Sequence, residues 1–164
     1  IKSSAASDVY KRQMYAIPSF ALFALLIPIT GLGQTTAIIV LVIYAQYILV
    51  RTFLSGLSQV DKHVIEAAKA MGMTKWQILL KVQFPLAQKS FFAGLRLAST
   101  AIIAIATIGA MINAGGLGVI LFDGLRTMNL TKLLWGIILT VGLSLLTNLI
   151  IYLVEELFQK EYSV

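Results

Sequence analysis

The fold is decided by the sequence LLWGIILTVGLSLLTNLIIYLV at residues 133–154, where 22 consecutive residues carry no charged side chain. At about 1.5 Å of rise per residue, a helix of this length crosses the roughly 30 Å hydrocarbon layer of a membrane. Trp135 and Tyr152 fall near its two ends, where aromatic side chains favour the membrane–water interface. The segment therefore predicts a membrane-spanning helix.

Three further apolar blocks precede this one, at residues 14–33, 35–54 and 90–112. The whole chain is 59% hydrophobic and only 12% charged, about half the ~25% charge of a typical soluble domain. The apolar residues fall in long blocks rather than on one face of each helix, which argues against a soluble helical domain. We therefore predict an all-α fold, a polytopic membrane helix bundle with spans at about 14–33, 35–54, 90–112 and 133–154.

Residues 1–13, IKSSAASDVYKRQ, differ from the rest of the chain because they are polar and small and show no helical period. We interpret them as an extraneous leader or a disordered tail and exclude them from the fold. A signal peptide is the alternative, with Lys11 and Arg12 as its basic region and residues 16–29 as its apolar region. No small-residue cleavage site follows that region, which counts against this alternative.

Composition also excludes several kinds of chemistry. The chain has no cysteine, one histidine (His63) and seven acidic residues, so disulfides, thiol nucleophiles and zinc fingers are excluded and no metal site is expected. The net charge of +6 is assigned to cytoplasmic loops and not to nucleic-acid binding, because the positive charge of a membrane protein concentrates on that side.

The distribution of basic residues predicts the orientation in the membrane. Residues 51–96 contain seven lysines and arginines, whereas residues 113–132 contain two. The basic residues of the first group are Arg51, Lys62, Lys69, Lys75, Lys81, Lys89 and Arg96, and those of the second are Arg126 and Lys132. We therefore expect the 61–85 loop and the C-terminus in the cytoplasm.

The loop DKHVIEAAKAMGMTKWQILLKVQFP at residues 61–85 carries the signals of two short helices. Asp61 is suited to cap the first helix and Gly72 to end it. Thr74 and Gln77 form a capping box for the second helix, which Pro85 is expected to stop. An amphipathic hairpin of this kind can simply rest on the lipid surface, and composition alone leaves that alternative open.

The spacing within the loop favours a more specific function. Glu66, Ala67 and Ala68 are followed after three residues by Gly72, and after nine more by Val82-x-Phe84-Pro85. This pattern resembles the EAA loop of ABC importer permeases, with apolar replacements for the usual isoleucine and leucine. The resemblance implies that Glu66, Ala67, Ala68, Gly72 and Pro85 form the contact with a cytoplasmic ATPase. His63 is expected to be exposed on this hairpin and not to be a ligand.

The resemblance extends over about residues 14–158 and is closest to permeases that import glycine betaine, carnitine or choline. The matching segments are Ala16-Ile17-Pro18-Ser19, Leu26-Ile27-Pro28, Gly31-Leu32-Gly33, Arg51-Thr52, Gly56, Met71-Gly72-Met73-Thr74, Gly94-Leu95-Arg96, Ile108-Gly109-Ala110, Gly115-Gly116-Leu117-Gly118 and Phe122-x-Gly124-Leu125. Methionine importers share the loop and the glycine run, so methionine or another small solute is the alternative cargo. A non-transporting membrane anchor is the alternative of another class.

The resemblance also implies an assembly. Two permease subunits, identical or different, form the pore, each docks one ATPase, and an extracytoplasmic binding protein delivers the solute. The family fold has five core spans and we count four, so we expect an N-terminal truncation. This chain has no ATP-binding motif, so we expect it to bind no cofactor and to catalyse no reaction, with ATP used by the partner ATPase.

Several residues outside the loop are candidates for the translocation path or for contact with the binding protein. They are Tyr44, Tyr47, Gly115, Gly116, Gly118 and Asp123. The two tyrosines are a candidate surface for a quaternary ammonium, although Tyr44 suits packing better. The glycine run suits either a flexible turn or packing beside the path, and Asp123 either attracts a cation or is a plain surface residue. Asn148, within the last span, is expected to hydrogen-bond a neighbouring helix.

Overall fold

A computed structural model of the protein describes residues 18–161, with side chains described through residue 158. The predicted leader at residues 1–13 lies outside the described residues, as do Lys11, Arg12 and residues 16–17 of the signal-peptide alternative and residues 162–164. Residues 18–161 contain no strand. The α-helices are α1 (Ser19–Thr30), α2 (Gln34–Ser58), α3 (Lys62–Ala70), α4 (Lys75–Ile78), α5 (Phe84–Gly109), α6 (Gly118–Arg126) and α7 (Leu130–Glu161). A π-helical stretch, Leu79–Gln83, precedes α5, and a 3-10 turn, Ala110–Ile112, follows it.

Three helical segments are long and apolar enough to cross a membrane, at Gln34–Ser58, Lys75–Ile112 and Leu130–Phe158. They include the residues of the spans predicted at 35–54, 90–112 and 133–154. The first predicted span corresponds to the shorter apolar helix α1, and residues 14–17 of that prediction lie outside the described residues. Helix α1 ends at Gly31, which has a φ of 79° and donates its N–H to the Ile27 carbonyl.

The chain divides into two compact units. The first comprises residues 1–42 and 104–137. Within its described part, Phe23 and Val40 are buried, and so is the Thr36 side chain. The hydroxyls of Thr30 and Thr36 lie 2.6 Å apart, so the turn between α1 and α2 satisfies its buried polar groups internally.

The second unit comprises residues 43–103 and 138–164. Close helix approach dominates its described part. A Cβ added at Gly94 would collide with the Thr52 side chain, and one added at Gly56 would collide with Ser90. Small residues let helix backbones approach in lipid, where no hydrophobic force drives helices together. The small residues Gly94 and Ser90 on α5 therefore permit its close approach to α2.

Candidate functional site

The 61–85 hairpin is built from local hydrogen bonds. The Asp61 carboxylate accepts from the His63 N–H at 2.9 Å and caps the start of α3. At the other end, Gly72 has a φ of 76°. The Gly72 N–H donates to the Lys69 carbonyl at 2.9 Å, and the Met73 N–H donates to the Ala68 carbonyl at 3.2 Å. These two bonds form a Schellman motif, whose left-handed residue favours glycine. The predicted start and end of the first helix are confirmed.

A capping box begins the second helix, as the sequence predicted. The Thr74 hydroxyl accepts from the Gln77 N–H at 3.4 Å, and the Gln77 side-chain oxygen accepts from the Thr74 N–H at 2.8 Å. The hairpin turn therefore has both flanking helix ends closed by their own residues, which fixes the chain direction without help from a partner.

The prediction that Pro85 stops the second helix is wrong. Helix α4 continues through the π-helical stretch Leu79–Gln83 directly into α5. The Phe84 N–H bonds to the Leu79 carbonyl, five residues back. Proline lacks an N–H and crowds the preceding turn, and the wider π turn immediately before Pro85 accommodates it without ending the helix. The hairpin is thus continuous with the span.

The exposed face of the hairpin combines small, charged and apolar groups. Ala68 is buried, with 1% of its surface exposed, whereas Ala67 and Glu66 lie on the surface of the hairpin. Met71 and Trp76 are 75% and 72% exposed, and Leu80 is also exposed. Exposed apolar groups rimmed by charge are typical of an interaction surface. His63 is exposed as predicted, 4.0 Å from the Glu66 carboxylate.

The glycine run between α5 and α6 has two different structural roles. Gly115 and Gly116 have φ values of 81° and 82°, and added Cβ atoms would meet nothing within 4 Å. Gly118 is buried, and a Cβ there would collide with the backbone of Thr107. The first two glycines therefore form a turn, and the third permits close packing of α6 on α5. The position of the glycine run beside the translocation path stays a prediction.

Asp123 on α6 is engaged by two cations. Its carboxylate accepts from the Lys132 ammonium at 2.6 Å and from the Arg126 guanidinium at 3.1 Å. These bonds, that from Lys132 first, hold the pKa of the Asp123 carboxyl below its ordinary value. The carboxylate is therefore already compensated within the protein, which makes it a poor free attractant for a cationic solute.

The same three side chains line one edge of a cleft of about 620 Å³. Met111, Ile120 and Phe122 contribute to its apolar wall. Sites for small molecules typically measure about 300–1,000 Å³ and combine apolar walls with a few polar groups. The cleft has this composition.

Tyr44 and Tyr47 lie three residues apart on α2, and both are partly exposed. The Tyr47 hydroxyl lies 3.5 Å from an Arg51 guanidinium nitrogen, which donates to it. The two rings remain a candidate surface on α2.

Two polar contacts join α5 to α7. The Asn148 amide donates to the Thr100 hydroxyl at 3.1 Å, which confirms the interhelical bond expected for Asn148. The Arg96 guanidinium pairs with the Glu155 carboxylate, a contact that the sequence does not predict. No local sequence signal relates two residues that lie 59 positions apart along the chain.

Comparison with known proteins gives a family match over residues 5–164, to the family described as "Binding-protein-dependent transport system inner membrane component". The ergothioneine transport permease/ergothioneine binding protein of Helicobacter pylori strain G27 is 42% identical over 135 residues, covering 82% of this chain and 24% of that protein. A carnitine transport permease of Listeria monocytogenes is 38% identical over 135 residues, covering 82% of this chain and 62% of that protein. This chain therefore spans less than two thirds of either relative.

A glycine betaine/carnitine/choline permease of Bacillus subtilis strain 168 is 37% identical over 141 residues, covering 85% of this chain and 62% of that protein. Among solved structures, an inward-facing crystal form of the MetNI methionine ABC transporter aligns with a TM-score of 0.78 at 26% identity, covering 93% of this chain and 72% of that one. A second crystal form aligns with a TM-score of 0.81 at 24% identity. The helical membrane-bundle fold is thereby confirmed.

Proposed function

The chain belongs to the family of binding-protein-dependent transport system inner membrane components, and on that premise we propose that it is a permease subunit of an ATP-driven ABC importer. It passes a solute across the membrane and hydrolyses no ATP itself. A cytoplasmic ATPase supplies the energy, a second permease subunit completes the pore, and an extracytoplasmic binding protein delivers the solute.

The observation that carries the proposal is the outward surface of the 61–85 hairpin. Glu66 and Ala67 stand exposed on α3, and Met71 and Trp76 expose large apolar surfaces at and beyond the turn. Because the hairpin closes its own helix ends, these groups are available to a partner. We assign this surface to the ATPase and place it in the cytoplasm, in accordance with the excess of lysine and arginine at residues 51–96.

The alanines of the hairpin then have separate functions. Ala68 is buried, so its small size serves internal packing. Ala67 is exposed, so its small size lets the ATPase approach the backbone of α3. Gly72 supplies the left-handed turn, and Pro85 lies where the hairpin joins α5.

The proposed solute is a small osmoprotectant-like molecule, since the named substrates of relatives at 37–42% identity are ergothioneine, carnitine, glycine betaine and choline. The alternative solute is methionine, which is supported by the similarity to a methionine transporter at 26% identity. Uptake of labelled carnitine, glycine betaine and methionine by the assembled transporter separates the two. Accumulation of methionine alone would remove the osmoprotectant assignment.

Ala67→Arg tests the ATPase contact in the full-length permease. It places a long charged side chain on the exposed face of α3 and leaves the buried hairpin contacts in place. We expect the variant to fold and reach the membrane, but to lose ATPase co-purification and uptake. Ala67→Ser, of similar size at the same position, is the matched control and keeps both. Retention of ATPase association and uptake in Ala67→Arg would refute the proposed contact.

The non-transporting anchor is tested by the same uptake measurement. If omission of this subunit from the reconstituted assembly leaves solute accumulation unchanged, the chain is an anchor and the permease proposal fails. A permease subunit is required for accumulation.

A further inference from the structure

The cleft bordered by α6 and the start of α7 combines an apolar wall with an uneven set of charges. Lys132 and Arg126 both contact Asp123, so two cations face one carboxylate and the edge keeps a net charge of +1. All three side chains line the cleft together with Phe122 and Met111. An anionic group that entered the cleft would meet an excess of positive charge.

We propose that this cleft is a solute subsite that binds the carboxylate of a zwitterionic solute at Lys132 and Arg126, with the methyl-rich end of the solute against Met111, Ile120 and Phe122. The inference rests on the proposed importer function and narrows its substrate class to carboxylated solutes. Glycine betaine and carnitine carry a carboxylate, whereas choline carries a hydroxyl in its place.

The charges support an anionic rather than a cationic ligand. The Asp123 carboxylate, the only acidic group that lines the described cleft, already accepts hydrogen bonds from both cations. Lys132 and Arg126 nevertheless retain donors, because an ammonium has three N–H groups and a guanidinium five. Their side chains are 48% and 83% exposed, so a carboxylate can reach them from solution.

The apolar wall argues for a ligand with two unlike ends. Met111 is 56% exposed, and Phe122 is half-buried at the cleft. A methionine thioether and an aromatic ring accommodate methylated groups without requiring a hydrogen bond. A free inorganic anion would leave this wall in contact with water, whereas a methylated zwitterion covers it.

Glycine betaine and choline are the probes that test the subsite, because both carry trimethylammonium and only the first carries a carboxylate. Saturation-transfer NMR measures the binding of each probe to the assembled, detergent-solubilised transporter. The binding protein is left out, so that the signal reports on the membrane subunits. One charge-assisted hydrogen bond in a partly exposed site favours glycine betaine by about tenfold. We expect Lys132→Gln to lower glycine betaine binding to the level of choline, and Lys132→Arg to preserve it.

Arg126→Gln is a second variant, which tests the subsite if Lys132→Gln does not fold. We expect it to weaken glycine betaine binding less than Lys132→Gln does, because Arg126 is more exposed than Lys132. The subsite proposal is overturned if glycine betaine does not bind or if it binds no more tightly than choline. It is also overturned if neither glutamine variant weakens glycine betaine binding. Uptake assays report separately on the proposed function. If the transporter takes up solute but binds both probes equally, only the subsite proposal fails. If it prefers glycine betaine in binding but takes up no solute, only the importer proposal fails.

Discussion

Replacing Glu155 with glutamine tests how far the α5–α7 ion pair stabilises the membrane bundle. The Glu155 side chain is 10% exposed and that of Arg96 is 33% exposed. Removing one partner of a fully buried pair costs about 3–5 kcal/mol, because the other charge stays buried and uncompensated. Arg96 retains partial access to solvent, so we expect a smaller loss of about 1–3 kcal/mol in the free energy of unfolding.

The assay is reversible unfolding in mixed micelles, monitored by helical circular dichroism during SDS titration. Arg96→Gln, Glu155→Gln and the double variant form a cycle, whose coupling energy isolates the pair from the effects of each single change. In the double variant two neutral amides replace the charges, and we expect it to recover part of the loss.

Lys89→Gln is the matched control, because Lys89 lies on α5, the helix that carries Arg96, and its side chain is exposed. An exposed substitution of this kind changes stability by less than about 0.5 kcal/mol. If Glu155→Gln destabilises the protein no more than Lys89→Gln, or if the coupling energy is close to zero, the ion pair does not hold α5 against α7.

Three further predictions concern other parts of the chain. Gly118→Ala destabilises the protein by about 1–3 kcal/mol in the same titration, because the added Cβ collides with the Thr107 backbone. Gly142→Ala is its control and leaves stability nearly unchanged, because a Cβ at Gly142 meets nothing within 4 Å. Gly72→Ala costs about 1–2 kcal/mol through left-handed strain alone, because the site is sterically open; no loss of hairpin stability would contradict this. The pKa of Asp123 is lowered by its cationic partners, so its stabilising contribution is present above the ordinary aspartate pKa and is lost as the pH falls through the folded value. Asp123→Asn therefore abolishes that part of the acid-induced loss of stability, which a titration at descending pH measures.

The sequence predicts most accurately the features determined by neighbouring residues. The caps at Asp61 and Thr74 and the turn at Gly72 depend on residues within one helical turn, and all three are confirmed. The apolar blocks likewise predict the three long spans, because span length follows directly from bilayer thickness.

The features that the sequence does not predict depend on tertiary context. Pro85 is a helix breaker by local rules, but the π turn before it lets the helix continue. Arg96 and Glu155 meet across two helices, and the distance along the chain conceals the pair. Asp123 appears in the sequence as a lone acid, whereas folding brings Lys132 back to it across the α6–α7 connection. The Arg96–Glu155 and Asp123–Lys132 contacts require knowledge of which helices are neighbours.

The unbroken passage from α4 into α5 has a mechanical consequence. A helix that ended at Pro85 would leave a joint between the hairpin and the span, and bending at that joint would absorb part of any applied force. Instead, helical backbone runs without interruption from Lys75 to Ile112, a length of 38 residues. Because the helix continues past Pro85, the hairpin connects to the start of α5 through helical backbone and not through a loop.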